Sequence, residues 1–231
     1  MIKIKSFKKN PLIAGFLSDK KFLITLSVAL ICLGLFSQFS TADTSDIVVL
    51  LKAFTLLIFF FVIIPLLYIR IILKKQLKKY GWQMGNWRLG VFWGVFSLLL
   101  SLALAYIVIY YLKLPDKYTS YFADNFWVFI LYEILVIGLY VFLYEFFFRG
   151  FLMFSLEKKF GRLSPLIQFL VFLAFYWLTN EFTWQNIFFF TAALFSGWIT
   201  LRSRSILYSL VYSWLFILIA DAAIIYLKRY I

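Results

Sequence analysis

The feature that most constrains this chain is a succession of apolar runs joined by short polar connections, alternately rich and poor in lysine and arginine. The runs lie at about 22–39, 47–73, 91–112, 126–148, 165–178, 186–201 and 206–226. A helix that crosses a bilayer needs roughly 17–25 mostly apolar residues; 165–178 falls short of that. With 65% of its 231 residues hydrophobic and 14% charged, the chain has too few polar residues to cover such runs in water. The expected fold is all-α, a polytopic transmembrane helical bundle of about seven spans, because backbone groups in lipid must be satisfied within each segment.

The connections orient the spans. Residues 1–21 form a basic leader, with Lys3, Lys5, Lys8, Lys9, Lys20 and Lys21 against Asp19, ahead of a single transmembrane domain at 22–231. A cleaved signal peptide would also begin this way, but its apolar core is usually only about 7–15 residues, shorter than the run here. Lys74, Lys75, Lys78 and Lys79 follow the second run, Lys158, Lys159 and Arg162 the fourth, and Arg202 and Arg204 the sixth. Placing these connections inside puts the amino terminus in the cytoplasm, with only Lys228 and Arg229 on the wrong side. The net charge of +13 therefore belongs to topology and to anionic membrane lipids, and nucleic acid is not an expected partner. The expected location is the plasma membrane of a bacterium or archaeon. Pro65 should kink the second span, and Lys52 should snorkel to its interface.

Chemistry is bounded by what the chain lacks. It has no histidine, hence neither the commonest general base nor the usual zinc ligand, and its single cysteine, Cys32, allows no intrachain disulfide. No metal site, nucleotide loop or cofactor is expected. The charged residues within the apolar runs are Lys52, Glu133, Glu145, Arg149 and Asp221. Glu145 and Arg149, four apart, share a helix face, and an intramembrane pair of this kind is expensive enough to suggest function. A blander alternative makes Glu145 an end-of-helix carboxylate neutralised by Arg149, with Arg149 reaching the interface. Glu133 lies about 18 Å along the helix from Glu145, and Asp221 about 12 Å from Ser213, so neither combination makes a catalytic pair.

The segment Tyr144-Glu145-Phe146-Phe147-Phe148-Arg149-Gly150 resembles the Glu-Glu-x-x-x-Arg motif of the CAAX prenyl protease and bacteriocin-processing (CPBP, or Abi) membrane family. Ala193 to Leu207 looks like that family's helix, short basic turn and Ser-initiated last motif helix, and Gly81 to Gly90 is similar to its approach to the core. The similarity spans about 130–230. It implies a CPBP-like core built as an intramembrane endopeptidase, in which a glutamate and a histidine activate water while a second histidine and an asparagine stabilise the oxyanion. Glu145 and Arg149 match the family motif, and the other positions depart from it. Tyr144 stands where the first glutamate would be, Tyr176 or Trp177 where the first histidine would be, and Ser213 and Ile217 where the second histidine and the asparagine would be.

The expected function is that of a CPBP-like membrane protein with impaired hydrolysis. It would act by binding or scaffolding another membrane protein, or a prenylated or transmembrane peptide. The alternative is a working endopeptidase of the CAAX-processing type, with Glu145 as base and Arg149 orienting it. A small transporter is a third class, for which the chain lacks paired interrupted helices in matched halves. Tyrosines and tryptophans at the substituted positions are also what ordinary membrane-protein packing uses.

Overall fold

The computed structural model describes residues 20–39, 47–112 and 125–230, and all regular structure among them is helical. The basic leader up to residue 19 and the connections 40–46 and 113–124 lie outside the described residues. The helices are α1 (Lys20–Phe39), α2 (residues 47–72), α3 (Trp87–Leu112), α4 (residues 126–160), α5 (Ser164–Leu178), α6 (Ile187–Ser203) and α7 (Ile206–Tyr230). Five helical stretches are long and apolar enough to cross a membrane: Lys20–Phe39, Leu51–Ile72, Trp87–Tyr111, Phe126–Leu178 and Ile206–Tyr226. That pattern is compatible with an integral membrane protein. The 15 residues of α5 and 17 of α6 reach only about 23 and 26 Å at the helical rise, short of the roughly 30 Å of a hydrocarbon core.

The long stretch holds two elements, because the chain turns at Gly161, φ +52, between α4 and α5. Before that turn α4 runs on without a break past residue 148, where the fourth apolar run ends, to Phe160. It measures roughly 50 Å at the usual rise and is π-helical at Glu133–Ile137 and Glu145–Met153. α2 behaves similarly. Pro65 sits between π-helical turns at Ile58–Ile63 and Tyr68–Ile72, which absorb its missing N–H as a shift in hydrogen-bond register.

α4 begins at a cap that sequence chemistry explains. Asn125 adopts an extended conformation, and its Oδ1 accepts hydrogen bonds from the backbone N–H of Trp127 at 3.0 Å and Val128 at 3.4 Å. Asn125→Ala should cost about 1 kcal/mol, seen as a lower unfolding midpoint in detergent. A midpoint equal to that of the parent would show that the cap is dispensable.

Two apolar clusters flank the centre of α4. One gathers α1, α2, α4 and α5 around Phe61, which stacks on Phe147 at 4.5 Å between ring centroids and meets Tyr144 and Phe175 edge-on or tilted. The other joins α3, α6 and α7 through Ile109, Ile199, Tyr212 and Phe216. At the end of the bundle that carries the basic connections, residues 81–86 are stitched to the α6–α7 turn. The Ile206 N–H donates to the Gly81 carbonyl at 3.0 Å, the Asn86 N–H to the Ser203 carbonyl at 2.7 Å, and Gln83 Nε2 to the Arg204 carbonyl at 3.2 Å. Gly81 (φ +81) and Gly85 (φ +56) supply the left-handed backbone that this path needs.

Candidate functional site

Between the two apolar clusters lies a polar centre built from α4, α6 and α7. Glu145 projects from the start of the longer π-helical stretch and is 1% exposed, while Arg149, one turn on, is 2% exposed. Arg149 Nε lies 3.6 Å from Glu145 Oε1, and its guanidinium stands 5.6 Å above the Phe172 ring. The blander expectation is corrected on two points. Glu145 is in the middle of a helix, not at its end, and Arg149 does not reach an interface, because partners in the interior hold both charges.

The hydrogen-bond partners of Glu145 are hydroxyls, whereas the buried Arg149 Nε has no hydrogen-bond partner among the described residues. Ser209 Oγ donates to Glu145 Oε2 at 2.7 Å and Ser213 Oγ to Oε1 at 2.9 Å. The two serines are four apart on α7, so they face the same way. Facing them on α6 are Thr200, whose hydroxyl donates to Ser209 at 2.7 Å, and Ser196, 2.6 Å from Ser213. Each carboxylate oxygen thus receives a charge-assisted hydrogen bond, and each donor is supported by a second hydroxyl. This double ladder was not singled out from the sequence, although the matched i, i+4 spacing of Ser196/Thr200 and Ser209/Ser213 is its signature.

Tyrosines form the opposite wall. Tyr140 Oη donates to Tyr144 Oη at 2.8 Å and lies 3.1 Å from Tyr176 Oη, with the Tyr140 and Tyr144 rings stacked at 4.3 Å. A small cavity, with room for water but not for a peptide, is bordered by Tyr140, Tyr144, Glu145, Arg149, Ser213 and Ile217. Tyr144, Glu145, Arg149, Ser213 and Ile217, all singled out from the sequence, thus meet around one space. Of the two alignments left open, Tyr176 (3% exposed) joins this wall, whereas Trp177 is 70% exposed and points away. Comparison with family models, with curated proteins and with solved structures finds no match in any of the three. The resemblance rests on these residues.

A pair of acids lies apart from this centre. Glu133 faces Asp221 across the α4–α7 contact, and Trp214 Nε1 donates to the Glu133 carbonyl at 2.9 Å. Glu133 Oε2 is buried and has no hydrogen-bond partner among the described residues. Sequence separation kept Glu133 away from Glu145 and Asp221 away from Ser213, but gave no sign that Glu133 and Asp221 would meet. Lys52 is exposed on α2 and takes no part in either group. Among the described residues no group of three or more His, Cys, Asp or Glu side chains could hold a metal ion.

Proposed function

We propose that this chain is a seven-span, CPBP-like membrane protein that binds another membrane protein or a peptide segment instead of cleaving it. Its amino terminus faces the cytoplasm of a bacterium or archaeon. The observation that carries this reading is the bonding of Glu145. Both carboxylate oxygens are committed to serine hydroxyls and the group is paired with Arg149, in a chain without any imidazole. A general base needs a lone pair aimed at a reacting water, and two hydroxyl donors and a guanidinium already compete for those of Glu145. Tyr144 supplies a hydroxyl where water activation would need a carboxylate. With hydrolysis set aside, recognition is the activity left to the fold. Tyr140 and Phe189, whose rings meet edge to face at 5.6 Å, border the same cavity.

The second reading, an active endopeptidase with Glu145 as its base, is favoured by one observation: Glu145, Arg149 and Ser213 border a cavity with room for a water. One experiment separates the two. Purified protein is incubated with a farnesylated CAAX peptide and with a transmembrane peptide, beside a Glu145→Gln variant whose folding is checked by its melting curve. The expected result is no cleavage by either protein, together with photo-crosslinked capture of a stoichiometric membrane partner by the parent. Cleavage by the parent that Glu145→Gln abolishes would overturn the binding reading and establish the enzyme.

A further inference from the structure

Two of the described arginines pair with acids. Arg149 is paired with Glu145, and Arg204 with Glu157 at 2.6 Å, which occupies the only described acid at the basic end of the bundle. Arg202, in the last turn of α6, makes neither a hydrogen bond nor an ion pair with any described residue. Two indoles hold it instead: its guanidinium lies 4.7 Å from the Trp198 ring and 5.7 Å from the Trp93 ring, and those rings are 6.2 Å apart at 81°. Ring contacts fix the plane of a guanidinium while leaving its N–H edge unspent. The frame is rigid, because the stitching of Asn86 and Gln83 to the α6–α7 turn ties the start of α3 to the end of α6.

A half-exposed, oriented guanidinium with no acid to pair with matches a phosphate oxyanion, which it meets through two parallel N–H donors. What lies next to it narrows the ligand further. Leu89, Phe92 and Phe96 form an exposed apolar face of α3, and Phe92 and Phe96 stack with each other and pack edge-on against Trp93. A soluble phosphate would use only the guanidinium, whereas a phospholipid would also lay an acyl chain along this aromatic face. Tryptophan and arginine together are the usual residues at headgroup depth.

We propose that Arg202, with Trp93 and Trp198, forms a site for the phosphodiester headgroup of an anionic phospholipid, whose acyl chain lies against Phe92 and Phe96. The test uses the full chain in phosphatidylcholine nanodiscs, titrated with phosphatidylglycerol and read by native mass spectrometry and by the melting midpoint. Lipid should bind and raise the midpoint, and glycerol 1-phosphate, which shares the phosphate but lacks acyl chains, should not. Arg202→Gln should weaken lipid binding about tenfold. Arg202→Lys should lose most of the same affinity, since an ammonium cannot form the bidentate contact, while Lys78→Gln should change it less than twofold. Equal losses for Arg202→Gln and Lys78→Gln would reduce the effect to general charge and overturn the site. Equal stabilisation by glycerol 1-phosphate would overturn the lipid assignment. Because Trp198→Phe keeps an aromatic face, a folded variant with parental lipid affinity would remove the indole pair from the proposal.

Discussion

Arg149→Ala should destabilise this protein by about 3–5 kcal/mol, the usual cost of removing one member of a buried ion pair. Among the described residues the guanidinium is the only cation beside Glu145, and removing it leaves a carboxylate at 1% exposure supported there by the hydroxyls of Ser209 and Ser213. Hydroxyl donors lower the cost of burying that charge without cancelling it. Glu145→Gln should also be destabilising, since it strands Arg149 among Phe172 and its aromatic neighbours. The double variant removes both charges, keeps an amide that Ser209 and Ser213 can still bond, and should recover about 1–3 kcal/mol of the summed losses. Denaturation of the four proteins in one detergent gives the coupling directly, and strictly additive losses would show that the pair is not an energetic unit.

Gly85→Ala should be nearly as damaging, by about 3 kcal/mol, for reasons unrelated to charge. Gly85 has φ +56, where an L-residue costs about 1–2 kcal/mol. An added Cβ would also run into the Ser203 carbonyl oxygen and come within 3.1 Å of the Ser203 and Arg204 carbonyl carbons, all of them backbone. Backbone cannot rotate aside as a side chain can, so overpacking adds a further roughly 1–3 kcal/mol. Gly161 is the internal control. It too has positive φ, +52, but an added Cβ there meets nothing within 4 Å. With ψ −121 it lies outside the left-handed helical region, so Gly161→Ala should show a backbone cost alone, about 1–3 kcal/mol. Equal drops in melting midpoint for the two variants would mean that residues 81–86 yield to the extra methyl, and that their stitching to the α6–α7 turn is loose.

The helical class was legible from the apolar runs, and so was the pairing of Glu145 with Arg149, because residues four apart share a helix face. Less legible was where α4 would stop. Gly150 and the cluster Glu157-Lys158-Lys159 resemble an exit from the membrane, yet the helix passes through both, since π-helical turns tolerate the glycine and only Gly161 takes a positive φ. The choice between Tyr176 and Trp177 needed coordinates because neighbouring residues on a helix point about 100° apart. Hydroxyls were the largest omission. Serine and threonine are common in membrane helices, so Ser196, Thr200, Ser209 and Ser213 acquire meaning only when α6 and α7 are laid side by side.

That hydroxyl ladder also has a mechanical consequence. Serines and threonines one turn apart on both helices act like teeth: sliding α6 along α7 by a turn would unmesh Ser196 from Ser213 and Thr200 from Ser209 together. α6 and α7 thus act as one piece, and the bonds of Ser209 and Ser213 to Glu145 tie α4 to it. The contact of α4 with α5 is of another kind, since there one phenol is joined to another.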